Sequence, residues 1–361
     1  MAGSIPLEAF RTSVVDPVTT TEWRSSGFQS TLINPYFNLG RQFFNDTRDR
    51  FLMTASLKYE LTDWLYAQGR INYDYSDNER EFNTPTGRGS STPRNGANTG
   101  YNGTYEIRNF RGTDLNADFL IGANKTFGDF SVDLSVGGNI YKTKSSDSRQ
   151  FVTDFTVRDL YSIENGITKN QSYGIGRSQV NSLYTFADFG YKSLFFLNVT
   201  ARNDWYSVLN PKNNSYLYPS VGGSFIFSEL MKDSDWLSYG KIRASYAEVG
   251  SSNGIGAFNG NLNYSINQNQ FNGQVLGSIA GDGSSPNQNL KPFTVAEKEV
   301  GLELKMFKSR VNLDVAAFEK TTTDQILNVQ ISSTSGYTST PQNLASLQNR
   351  GVEFMLEVIP V

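Results

Sequence analysis

The sequence contains no cysteine and no histidine among its 361 residues. The lack of cysteine excludes disulfide bonds, thiolate metal sites and cysteine nucleophiles. The lack of histidine excludes a Ser-His-Asp triad, histidine-ligated zinc and the commonest general base near neutral pH. Chemistry would have to depend on Asp, Glu, Lys or Tyr alone. We therefore expect neither an enzyme nor a cofactor or metal site.

Long apolar runs and a strong net charge are also missing. No stretch approaches the ~18 consecutive apolar residues that a transmembrane helix needs. The net charge of −3 provides no basic surface for a nucleic acid. Aromatic residues nevertheless make up 13% of the chain, although its mean hydropathy is −0.43. A soluble β protein and a membrane β-barrel both fit this composition, because barrel strands alternate and therefore have low mean hydropathy.

Apolar and polar residues alternate along eleven segments of the chain, which predicts β-strands. In one of them Leu65, Ala67 and Ile71 alternate with Gln68 and Arg70. Tight turns join most of these strands into hairpins. Segments of about 40 residues, rich in Gly, Ser, Asn and Thr, separate the hairpins, and they span 76–117, 143–182 and 250–296.

Short and long connections follow one another in strict alternation. In an up-and-down sheet this arrangement brings all tight turns to one end, as in outer-membrane barrels with short periplasmic turns and long extracellular loops. We therefore predict an all-β, antiparallel, up-and-down transmembrane β-barrel. Residues 1–50 are expected to form an outer loop and lead-in, and residues 51–361 the barrel wall. The alternative is a soluble or secreted all-β carbohydrate-binding protein, whose fold would be an antiparallel sandwich or a propeller.

Three groups of short motifs follow in a fixed order along the chain. They are NPYFNL (34–39), DTRDRF (46–51) and SLKYELTDWL (56–65); TARNDW (200–205), YPSV (218–221) and GKIRASY (240–246); and NLKP (289–292), EVGLE (299–303) and NRGVEF (349–354). This ordered series resembles the mid-barrel of SusC/RagA-type TonB-dependent outer-membrane transporters of the Bacteroidetes.

The resemblance implies a barrel of roughly 22 strands with an N-terminal plug. It also implies a SusD-like surface lipoprotein as partner, and energy from TonB with ExbB and ExbD. The implied function is active uptake of an oligosaccharide or a peptide across the outer membrane. No plug or signal peptide precedes the motifs, and the chain stops within a strand pattern. We therefore expect a fragment with about half of a barrel wall, whose parent contacts TonB through the missing plug region.

Three tryptophans are candidates for the interface between lipid and water. Trp64 and Trp236 each follow an aspartate just before a strand, and Trp205 follows Asp204 at a strand end. Indole rings at such places favour the membrane boundary. We expect all three to belong to the interfacial girdle.

Charged residues within the strands are expected to face a polar lumen rather than a ligand. The candidates are Arg70, Asp74, Arg202, Glu299 and Glu303. The carboxylates of Glu297, Glu299 and Glu303 share one strand face, but nothing in their spacing provides the two flanking carboxylates that glycoside hydrolysis needs.

Aromatic residues in the predicted loop 76–117 are candidates for substrate contact. They are Tyr101, Tyr105 and Phe110. Exposed rings in binding loops stack on sugars, and rings within a long loop equally serve to pack it. Both interpretations remain open for these three residues.

Overall fold

The computed structural model describes residues 36, 39–86, 103–231, 234–257, 259–279 and 283–360. Thirteen strands occur within these residues. They are β1 (Phe44–Thr62), β2 (Leu65–Thr84), β3 (Thr104–Phe127), β4 (Phe130–Phe155), β5 (Gly166–Tyr191), β6 (Phe195–Tyr206), β7 (Ser215–Phe225), β8 (Leu237–Ser251), β9 (Tyr264–Phe271), β10 (Gln274–Ile279), β11 (Phe293–Met306), β12 (Val311–Gln330) and β13 (Ser339–Val358). Short 3-10 turns at Ile163–Asn165, Pro211–Asn213, Phe227–Leu230 and Ser333–Ser335 lie between strands.

Eleven of these strands form one sheet in the order β1 to β8, β11, β12, β13. Strands that follow one another in sequence are neighbours, apart from the pair β9 and β10, which forms its own hairpin. The registers from β5 to β13 are antiparallel. The all-β, antiparallel, up-and-down prediction is confirmed, as is the number of strands in the sheet.

Tight turns at one end of the sheet use left-handed backbone conformations. Gly128 between β3 and β4 has φ of 59°, and Lys192 and Ser193 between β5 and β6 have φ of 52° and 57°. Between β11 and β12, three consecutive residues from Phe307 to Ser309 have positive φ. Such conformations match the twist of the flanking strands and allow the chain to reverse within a few residues.

The strands are longer than predicted, and the long loops are correspondingly shorter. β2 continues to Thr84 and β4 to Phe155, while β5 already begins at Gly166. The predicted loop 143–182 is therefore mostly strand. The alternation that marks a strand disappears in these segments, because polar residues occupy both faces, yet the backbone ladder continues and cross-strand ion pairs such as Arg111–Asp77 accompany it.

Contacts divide the chain into two compact units. The first unit comprises Met1–Leu52, Tyr73–Asp114 and Thr143–Gly176. Its described strand segments are polar on both faces, and a small core of Val152, Phe155 and Tyr105 is buried among them.

The second unit comprises Met53–Asn72, Leu115–Lys142 and Arg177–Val361. Its strands keep the alternation of apolar and polar residues that the sequence shows. A cluster of buried residues packs between strand ends and connections, and it consists of Tyr206, Leu209, Tyr218, Ile255 and Leu290.

Directly opposite residues on neighbouring strands share a face of the sheet. The register joins Val199 to Val221, and it stacks the rings of Phe195 and Phe225 with their centroids 4.6 Å apart. One such apolar row crosses four strands and consists of Ala244, Val300, Ala317 and Val352. The second unit therefore has one apolar face, much of it exposed, and one polar face. Among the described residues, no helix is long and apolar enough to cross a membrane.

Candidate functional site

The polar face of the second unit carries a row of polar residues across β5 to β8. Register places Asn198 opposite Asp188, Gly222 opposite Asn198, and Ser245 opposite Gly222. A cavity of about 410 Å³ lies over this row, and Lys241 and Arg243 belong to its lining. The absence of a side chain at Gly222 leaves room above the strand.

Arg243 is the centre of an ion-pair cluster on this face. Its Nε donates to Glu299 Oε1 at 3.1 Å, and its two terminal nitrogens donate to the Asp314 carboxylate at 3.2 and 3.0 Å. Gly301 lies directly opposite Arg243, and a Cβ built there would stand 2.6 Å from the guanidinium carbon. A glycine on β11 therefore lets the guanidinium lie flat across this strand and reach β12.

Glu303, two residues further along β11, has two lysine neighbours. Its carboxylate lies 3.5 Å from Lys241 Nζ and 3.7 Å from Lys305 Nζ. Together with the Arg243 cluster, this gives three carboxylates and three cations across β8, β11 and β12. The balance suits a wet, polar surface, since each charge has an opposite partner.

The other charges that were predicted to face a lumen are paired as well. Arg70 binds Asp118 at 2.9 Å, and Arg202 donates to Asp204 at 2.7 Å and to Ser182 at 2.8 Å. Asp74, in the first unit, accepts two hydrogen bonds from Arg50. The register aligns Arg202, Glu299 and Glu303 with the polar face. That this face lines a lumen stays a prediction.

The predicted girdle tryptophans occupy strand ends and turns. Trp64 lies in the turn between β1 and β2, with Lys125 Nζ 5.7 Å from its ring centre. Trp236 immediately precedes β8 and is half exposed. Trp205, near the end of β6, alternates in phase with Val199 and therefore belongs to the apolar face. Their contact with a lipid interface stays a prediction.

The candidate substrate-contact aromatics have different surroundings. Tyr105 does not lie in a loop, because it belongs to β3 and is buried against Phe43 and Tyr161. Its hydroxyl donates to Glu81 Oε1 at 2.9 Å. Burial, the larger cause, and the hydrogen bond to Glu81, the smaller cause, raise the pKa of Tyr105 to about 12. Of the two interpretations, packing therefore describes Tyr105. Phe110, also on β3, is exposed, and Tyr101 lies outside the described residues.

A cleft lined with carboxamides is a second candidate site in this unit. Its volume is about 550 Å³, and it lies between the connection that follows β8 and the far end of β12. Six of its lining residues carry side-chain amides for which the described part of the chain provides no hydrogen-bond partner: Asn253, Asn259, Asn261, Asn263, Gln325 and Asn328. Each amide offers both donors and an acceptor. The cleft therefore suits an uncharged ligand with many hydrogen-bonding groups.

No feature of the described residues points to catalysis or metal binding. Glu297, Glu299 and Glu303 are each paired with a cation, at 3.7 Å or less. No group of three or more acidic residues that could hold a metal ion occurs among the residues that the structure describes.

Sequence reasoning missed both Arg243 and the amide cleft. The alternation of Lys241, Arg243 and Ser245 already indicated a polar face for β8. Pairing Arg243 with Glu299 and Asp314 requires the register of three strands, which alternation within single strands does not provide. The abundance of asparagine in residues 250–296 was the available signal for the cleft.

Comparisons with known proteins agree with this architecture. A family model described as TonB dependent receptor-like, beta-barrel, matches residues 8–358. TonB-dependent receptor P3 of Formosa agariphila is 27% identical over 337 residues, which cover 90% of this chain and 32% of that protein. TonB-dependent receptor P26 of the same organism is 24% identical, over 98% of this chain and 36% of its own length. The chain thus spans about a third of the length of these curated relatives.

Among solved structures, the RagAB peptide importer in its closed-closed state has a similar fold. The TM-score is 0.78 at 20% sequence identity, and the match covers 90% of this chain and 35% of that one. At this identity the likeness concerns the fold.

Proposed function

Since the chain belongs to the TonB-dependent receptor-like β-barrel family, found in the outer membrane, we propose that its parent protein imports a nutrient across that membrane with energy from TonB. This chain supplies part of the barrel wall. The nutrient is an oligosaccharide or a peptide, and a SusD-like surface lipoprotein delivers it. TonB, driven by ExbB and ExbD, acts through the plug of the parent protein.

The two-faced sheet is the observation that carries the proposal. An exposed apolar face, built from alternate residues of the seven strands β5 to β8 and β11 to β13, is stable next to lipid and unfavourable next to water. The opposite face carries the paired charges around Arg243 and is suited to a water-filled lumen. A soluble or secreted carbohydrate-binding protein, the alternative from the sequence, would have to cover this apolar face with a second layer.

The amide cleft supports a neutral, hydrogen-bonding nutrient. The side-chain amides of Asn261, Asn263 and Asn328 have no hydrogen-bond partner among the described residues, and none of the described lining residues is charged. Hydroxyl groups of a glycan and backbone amides of a peptide both satisfy such groups. Exposed Phe110 is a further candidate contact, since a ring of this kind stacks on sugars.

Gene deletion in the producing bacterium tests the proposal. We expect the deletion to abolish growth on one class of polymer among single oligosaccharides and peptide mixtures offered as the only carbon source. The intact gene should restore growth, and a protonophore should stop uptake by the restored strain. Unchanged growth on every nutrient, or recovery of the protein from the soluble fraction without detergent, would contradict the proposal.

A further inference from the structure

A recess interrupts the apolar face of the second unit near its tight turns. Its volume is about 590 Å³. Two aromatic pairs border it: Phe130 with Tyr191, whose centroids are 4.7 Å apart, and Phe195 with Phe225. Gly223 and Ala244, directly opposite each other on β7 and β8, are among its lining residues and leave room between the rings.

Gly223 is not required by the backbone or by its neighbours. Its φ is not positive, and the nearest heavy atom to a Cβ built there is the carbonyl oxygen of Phe196 at 3.9 Å. Gly122 and Gly250 differ, because a neighbouring tyrosine ring lies directly over each of them. A glycine inside a strand weakens the strand and often marks a bulge, a tight bend or a place where another molecule approaches closely. The registers on both sides of Gly223 continue without a bulge. Gly223 therefore keeps open a space that no side chain of the described residues fills.

The surroundings of the recess identify what fills it. The recess is continuous with the apolar face, and the inference rests on the proposed function, which places this face against the lipid of the outer membrane. Its rim lies at the tight turns, the periplasmic end in barrels of this kind, where the adjoining leaflet is phospholipid. Lys192 stands in the turn beside Tyr191, with its ammonium half exposed and 3.3 Å from Asp129. A lipid phosphate can approach the remaining N–H donors of this ammonium.

We propose that the recess over Gly223 and Ala244 is a binding site for one acyl chain of a membrane phospholipid, with the aromatic pairs as its walls. The chain fills the space that the missing side chains leave. Bound lipid at this place covers the strand ends of β5 to β8 and adds apolar contact that bulk, mobile lipid does not provide.

Photocrosslinking tests this site in the complete gene product, reconstituted into phospholipid vesicles. The probe is a phosphatidylethanolamine with a diazirine on its acyl chain, and mass spectrometry maps the labelled peptides. We expect several-fold more labelling at Phe195, Phe225 and Ala244 than at Val300 and Val315, which occupy the same face over β11 and β12. Labelling of Val300 and Val315 itself reports that the sheet faces lipid, so this control separates failure of the site from failure of the proposed membrane location.

A substitution that fills the recess with a side chain tests whether the acyl chain binds there. Gly223→Leu should lower labelling of the recess several-fold and leave Val300 unchanged. The matched control is Gly69→Leu, because Gly69 lies in the apolar phase of β2 and has no heavy atom within 4 Å of its built Cβ. If Gly223→Leu does not assemble, Ala244→Val fills the same space from β8. Uniform labelling along the apolar face, or no response to either recess variant, would overturn the proposal.

Discussion

At the scale of single residues, Arg243 shows how a charged group is held on the polar face. Its guanidinium donates two hydrogen bonds to Asp314 and one to Glu299. All three side chains are about 30% exposed. Replacing Arg243 by alanine removes the cation that Glu299 and Asp314 share. Hydrogen bonds to charged groups contribute about 1.5–3 kcal/mol each, and partial exposure lowers this value.

We therefore expect Arg243→Ala to lower the free energy of unfolding by about 1–3 kcal/mol, measured by urea titration of the complete protein. Arg243→Lys keeps the positive charge but cannot donate paired hydrogen bonds in the plane of a guanidinium. It should therefore be more stable than Arg243→Ala and less stable than the wild type. The control is Lys320→Ala, because Lys320 lies 3.7 Å from Glu297 and both side chains are more than 40% exposed. That change should cost about 0–1 kcal/mol. Equal losses for Arg243→Ala and Lys320→Ala would contradict this account.

Tyr105 provides a prediction on pH. Its folded pKa of about 12 lies above the ordinary value of 10.0, so folding favours the neutral phenol. This contribution to stability is fully present below pH 10 and is lost as the pH rises from 10 to 12. The difference in absorbance at 295 nm between the wild type and Tyr105→Phe should therefore titrate near pH 12. A midpoint near 10 would show that the ring is exposed to water.

At the scale of elements, glycines decide how closely neighbouring strands can pack. Gly250 on β8 lies beneath the ring of Tyr218 from β7, and a Cβ there would overlap the ring. Gly250→Ala should force the ring away and cost about 1–3 kcal/mol, as overpacking commonly does.

Gly69→Ala is the matched change without a neighbour, since its Cβ would meet nothing within 4 Å. Alanine there should be neutral or stabilise by about 0.4–1 kcal/mol, because the unfolded chain loses conformational freedom. Urea titration of both variants checks the pair. A loss at Gly69→Ala as large as that at Gly250→Ala would show that backbone flexibility, rather than the Tyr218 ring, is the cause.

The strands of the second unit could be predicted from the sequence because one face of each is apolar. Val199 is apolar and Thr200 is polar because they lie on opposite faces. This alternation with a period of two residues is enough to predict β6 from the sequence alone. The continuation of β2 to Thr84 and of β4 to Phe155 was not predictable in this way, since segments that are polar on both faces read as loops. Their ladder depends on pairing between strands, which is a property of the tertiary structure.

The candidate site was less predictable than the fold. The polar phase of Arg202, Glu299 and Glu303 followed from alternation alone. The partners of these residues required the register between strands, and burial of Tyr105 required the packing of Phe43 and Tyr161 around it. Alternation determines the face on which a side chain lies, whereas contacts across strands depend on the register.

At the scale of the whole molecule, we expect the same substitution to have a different cost in stability on each face of the sheet. Val199 and Thr200 are adjacent on β6, and register aligns Val199 with Val221 on the apolar face and Thr200 with Ser220 on the polar face.

If the apolar face lies against lipid, Val199→Arg should lower the free energy of unfolding by about 2–4 kcal/mol, the cost of arginine near the membrane midplane. Thr200→Arg should cost about 1 kcal/mol, chiefly for its hydrogen bond to Ser220. Urea titration of the complete protein in phospholipid vesicles measures both. Similar costs for the two variants, or a larger cost for Thr200→Arg, would contradict the assignment of lipid and lumen faces.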